Sequence, residues 1–170
     1  MRTPELMKPN YQDLTWVQPR ALRAEYQLIA DGKALASLRW EKAFGSLATA
    51  EAADGRWTFK RVGFLRPRVT VRAEGSVGDV AMLEPGTGVL QFSDGHRYHW
   101  VNTSSWGGEW AFASEDGAVL VRFLFPKASF KMKGTVQVEP AARTQQDLSL
   151  LLLLGWYLVV LNSKDFWFVP

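Results

Sequence analysis

The stretch Leu148 to Leu161, LSLLLLLGWYLVVL, limits what this chain can fold into. It is apolar on every side, interrupted by Ser149 and Gly155, both small. A helix with no polar face belongs in a protein core or a membrane. Roughly fourteen residues rise about 21 Å as an α-helix. The hydrocarbon slab is about 30 Å thick, and apolar runs of about 10–14 residues suit a buried core helix better than a span. The expectation is a core helix over about 145–161, with no transmembrane span. Thr144 and Asp147 form a capping-box-like start, with Asp where Glu is usual. Asn162 is a plausible stop, and Lys164 lies near the negative end of the helix dipole.

The residues before the helix read as short strands. Tyr26, Leu28 and Ala30 alternate with polar residues up to Asp31-Gly32, and Ala34 to Trp40 alternate after it. Asp-Gly between alternating runs signals a tight hairpin, because the turn needs positive φ. The device recurs at Asp54-Gly55, Asp94-Gly95 and Asp116-Gly117. Arg68 to Ala73 and Val80 to Leu83 read as strands joined through Gly75-Ser76-Val77-Gly78, and Lys131 to Val138 as a last strand bulged at Gly134. Tyr11 to Val17 allows one short strand. About twelve antiparallel strands would enclose more space than an eight-stranded barrel, which side chains alone can fill. A sandwich with the helix laid on one side would leave one helix face wet, and this helix has no polar stripe to offer. The reading is a mainly β fold: a closed barrel of about twelve strands around the C-terminal helix. It assigns 1–22 to an N-terminal arm, 23–162 to the barrel with its helix, and 163–170 to an apolar tail.

This order of pieces resembles the group that holds the tubby C-terminal domain, the phospholipid scramblases and the LURP-one-like proteins. The resemblance runs from about Tyr26 to Leu161. It rests on Tyr26-x-Leu28-x-x-Asp31-Gly32, on Ala50-Glu51-Ala52-Ala53-Asp54-Gly55-Arg56-Trp57-Thr58-Phe59-Lys60-Arg61, and on Leu150 to Leu158 ending in Gly155-Trp156-Tyr157-Leu158. It implies a twelve-stranded barrel closed around the helix, and an association with membrane lipids or phosphoinositides. The chain departs from the scramblase pattern in having no Cys for palmitoylation and no acidic loop before the helix like the scramblase calcium segment. Neither scrambling nor calcium dependence carries over.

Composition narrows the chemistry. The 170 residues suit one domain, and eight Trp and ten Phe supply bulk for its core. The net charge of +3 is too mild to imply a nucleic acid partner. The absence of Cys excludes disulfides, thiolate metal sites and a Cys nucleophile. The N-terminal residues carry Pro4 and Pro9 and no apolar signal-peptide core, so the expected location is cytoplasmic, peripheral to a membrane if lipid is bound.

The one basic concentration is Lys60, Arg61, Arg66, Arg68 and Arg72. Two readings stand: the solvated outer face of a strand, or a seat for anionic lipid head groups. Single-stranded nucleic acid would want aromatics beside the cations, yet Trp57 and Phe59 alternate against Lys60. His96 and His99 are separated by an odd number of positions, which places them on opposite faces of a strand and gives no shared metal. No pair of carboxylates is anchored by a motif. Gly86-Thr87-Gly88 is a turn, not a phosphate cradle, and Ser46, Ser76 and Ser114 lack a nucleophile elbow. The expectation is a non-enzymatic binding module with no catalytic residue, metal or cofactor. The alternative is a protein–protein or self-association module. Trp106, between Ser104-Ser105 and Gly107-Gly108, is a candidate for an exposed contact. The tail Phe166-Trp167-Phe168-Val169-Pro170 is expected to fold back over the barrel mouth; the alternative is that it docks on a neighbouring chain or a membrane surface.

Overall fold

The computed structural model describes residues 14–104, 108–126 and 132–167, the last four without their side chains. Twelve strands follow in order: β1 Leu14–Val17, β2 Glu25–Ala30, β3 Lys33–Trp40, β4 Ala48–Ala52, β5 Gly55–Val62 and β6 Arg68–Ala73, then β7 Ala81–Glu84, β8 Val89–Phe92, β9 Arg97–Asn102, β10 Glu109–Ser114, β11 Val119–Leu124 and β12 Lys133–Val138. Each pairs antiparallel with its sequence neighbour, and β1 pairs with β12, so the sheet closes into a barrel. A turn of 3-10 helix, Pro140–Thr144, leads to the helix α1, Leu148–Trp167.

Closure comes from a segment expected to be an arm. In β1, Leu14 and Trp16 are fully buried, and Leu14 lies opposite Val136, Trp16 opposite Gly134. Two inward side chains on a four-residue strand suffice here, because both neighbouring strands supply ladder partners.

The helix fills the barrel. Leu150 to Leu161 are all buried, Gly155 included. Aromatic contacts reach it from several strands. Trp16 of β1 stacks on Trp156 with ring centroids 5.8 Å apart, and Trp40 of β3 stacks on Tyr157 at 5.2 Å. Phe59 of β5 meets Tyr157 edge-on at 5.3 Å. The barrel wall alternates large and small inward residues to make room. Ala48 lies opposite both Trp40 and Phe59, and Ala50 opposite Leu38 and Trp57.

Three expectations change in detail. Gly134 does not mark a bulge. A Cβ there would come within 2.5 Å of the Trp156 ring, so the missing side chain makes space for the helix. The ladder irregularities fall instead at Leu28/Ile29 against β3 and at Phe112/Ala113 against β11. Asn162 does not end the helix, whose backbone continues to Trp167. Asp147 stands just outside the first turn, and its backbone carbonyl accepts the Leu151 N–H at 2.9 Å. The expected tail contact and Trp106 lie outside the described residues.

Because consecutive strands run antiparallel, the loops fall at two ends. The helix enters at the end that carries the β8–β9 loop, where Asp147 meets His96. It approaches the opposite end where the Tyr157 hydroxyl donates to the Ser46 carbonyl in the β3–β4 loop, at 2.7 Å.

Candidate functional site

The five expected cations do not form one flat patch. On β6, Arg68 and Arg72 point outward while Val69 and Val71 are fully buried. On β5, Lys60 points outward between Phe59 and Arg61. Its ladder partner is Thr70, so Lys60 is the diagonal neighbour of both Arg68 and Arg72. Arg61 pairs with buried Val69 and shares the alternation of Phe59, which puts it on the inward side at the strand's end. Arg66 stands in the loop that joins the two strands and is exposed.

Their neighbours divide them further. Arg72 contacts Asp79 at 3.5 Å. Beyond the predicted five, Arg56 is held by Glu51 at 3.0 Å and Glu74 at 3.5 Å, and the hydrogen bond and charge of Glu51, with the charge of Glu74, push its value up. Among the described residues, Lys60, Arg66 and Arg68 make no ion pair. There is no Asp or Glu between Gly55 and Ala73, but the acids of the neighbouring segments come close: Asp79 draws Arg72, and exposed Glu84 follows Leu83, the β7 partner of Val69, which brings it to the level of Arg68.

A second cluster escaped the sequence reading. At the helix-entry end, His96 lies in the turn before β9 and is stacked on Phe92 at 4.0 Å. Its Nδ1 faces the Asp94 carboxylate, and its Nε2 lies 2.8 Å from Asp147 Oδ2. The Tyr98 hydroxyl donates to the same Asp147 oxygen at 2.7 Å. Burial pushes the His96 imidazolium value down, but hydrogen bonds and charges from Asp147 and Asp94 outweigh it and leave it raised. Burial, then the Asp147 contact, raises the Tyr98 phenol. The hydrogen bonds from the His96 backbone and ring hold Asp94 below the usual carboxylate range.

The arrangement resembles the acid–histidine part of a catalytic triad, yet both ring nitrogens already face carboxylates. Neither is left to take a proton from a nucleophile. The cluster instead ties the start of the helix to the barrel rim. Fifty-one positions separate His96 from Asp147. The sequence hint was there in Asp147, the acid directly ahead of the apolar run, but nothing in spacing named its partner.

His99 lies on β9 opposite Val89. No group of three or more His, Cys, Asp or Glu residues suited to a metal is found among the described residues. A shallow depression of about 200 Å³ lies over the outer face of β2–β4, with Glu25, Gln27, Ser37, Arg39, Thr49 and Glu51 in its lining. It is smaller than the pockets of roughly 300–1,000 Å³ that take small ligands. Among the described residues, no helix is long and apolar enough to cross a membrane.

No family model matches the chain, and no curated protein matches it in sequence. A crystal structure of a protein from Arabidopsis thaliana aligns over 87% of this chain and 94% of its own, at 10% sequence identity and a TM-score of 0.48.

Proposed function

We propose that this protein is a non-enzymatic binding module that docks on anionic lipid at the cytoplasmic surface of a membrane. One observation carries the reading. Lys60, Arg66 and Arg68 stand together on the β5–β6 hairpin without an acidic partner among the described residues. Neighbouring cations on a rigid hairpin suit phosphate-bearing head groups, each worth about 1 kcal/mol near an anionic surface. Arg72 takes a lesser part because Asp79 already draws it. The resemblance to the tubby, scramblase and LURP-one-like group points the same way, and the closed barrel with its C-terminal helix accords with it. Cosedimentation with phosphatidylserine-containing and neutral vesicles tests the proposal. Binding should require the anionic lipid and fall as salt is raised.

A further inference from the structure

The exposed apolar side chains are not scattered. Leu22 is 92% exposed, Phe64 96% and Leu65 89%, and Phe44 and Leu47 are also exposed. Leu22 lies in the β1–β2 loop, Phe44 and Leu47 in the β3–β4 loop, and Phe64 and Leu65 in the β5–β6 loop. All three loops occur at the same end of the barrel and are consecutive around its rim. Val77, the other exposed large apolar residue among those described, is at the opposite end in the β6–β7 loop.

The loops that present Leu22 and Phe64–Leu65 are braced. Gly63 has φ 89°, and a Cβ there would come within 2.8 Å of the Arg66 carbonyl oxygen, so this tight loop requires glycine. Pro67 closes its other side. In the β1–β2 loop, Gln18 Nε2 donates to the Ala21 and Arg23 carbonyls at 3.2 and 2.9 Å, and Gln18 Oε1 accepts the Met132 N–H at 3.0 Å. Holding an apolar tip out in water gains nothing for folding, and exposed apolar clusters mark contact surfaces.

Both tips have cations beside them. Leu22 lies between exposed Arg20 and Arg23, and Phe64-Leu65 runs directly into Arg66 and Arg68. Glu25 and Glu41 also lie near this end, and Glu41 accepts the Thr49 hydroxyl at 3.2 Å. We infer that this end of the barrel is the part that enters the membrane, with Leu22, Phe64 and Leu65 in the interfacial zone and Arg20, Arg23 and Arg66 on the anionic head groups. The inference rests on the lipid reading above and adds the depth and direction of docking. Separate apolar tips on successive rim loops, interleaved with arginines, fit a flat anionic surface. A bound peptide would need a groove. The Lys60–Arg68 face adjoins the Phe64–Leu65 loop, so both can meet one bilayer.

The chain has no Cys, so an introduced one gives a single labelling site. Leu65→Cys and Val77→Cys would each carry a polarity-sensitive fluorophore and be mixed with vesicles of phosphatidylcholine and phosphatidylserine. The Leu65→Cys label should brighten and shift to the blue, and the Val77→Cys label should not. Phe64→Ala with Leu65→Ala should weaken vesicle partitioning on the order of tenfold without moving the melting temperature. If the protein sediments with vesicles while the Leu65→Cys label stays silent, the end-on inference is overturned and the anionic-lipid reading survives. Absence of sedimentation by the unmutated chain overturns both. A blue shift that follows protein concentration without vesicles would make this end a self-association face and also overturn the inference.

Discussion

The Phe123 ring of β11 fills the space that a side chain at Gly155 of the central helix would occupy. This contact lets the helix sit against the wall. Gly155→Ala should therefore destabilise the protein although alanine is the better helix former. Overpacking costs about 1–3 kcal/mol, against a propensity gain of about 1 kcal/mol. Urea denaturation should show a net loss, and pairing the change with Phe123→Leu should recover part of it.

Leu152→Asp should abolish folding. The residue is buried within an all-apolar helix. An unpaired carboxylate there costs several kcal/mol against a total stability of about 5–15 kcal/mol. Circular dichroism and size exclusion read the outcome; a cooperative, near-normal melt would mean that this face of the helix is open to water.

His96 makes stability depend on pH. Its native value is raised, so its contribution is complete below the unfolded value of about 6.5 and is lost as pH rises through the native value. Asp94 acts in the other direction. Its native value is lowered, so its contribution is present above about 3.9 and is lost as pH falls through the native value. Melting temperatures of the wild type should decline more steeply than those of His96→Gln as pH rises above about 6.5. Parallel profiles would show that the His96–Asp147 contact does not tie down the helix.

The architecture was legible where local pattern and tertiary demand coincide. Asp31-Gly32 reads as a hairpin from two residues, and Asp31 and Gly32 do take positive φ. The helix announces its burial through its lack of a polar face. Gly134 was ambiguous because glycine suits both a bulge and a close approach, and only the position of Trp156 distinguishes them. β1 was faint because its four residues contain just two inward side chains, and its partner strand β12 comes more than a hundred positions later. For the candidate site, alternation alone placed Arg68 and Arg72 outward. Separating Arg72 from Lys60, Arg66 and Arg68 needed the position of Asp79. The row of apolar loop tips was invisible until the strand order put three loops side by side at one end.

The most direct measurement is vesicle cosedimentation of the wild type beside Lys60→Ala, Arg66→Ala and Arg68→Ala combined. Three cations at about 1 kcal/mol each amount to roughly a hundredfold in affinity. The account predicts binding of the wild type to phosphatidylserine-containing vesicles at low salt. It predicts binding about a hundredfold weaker for the triple variant, and little change in melting temperature because all three side chains are exposed. Arg72→Ala should lose much less than any one of the three. Equal binding by wild type and triple variant, or no binding by the wild type at low salt, would contradict it.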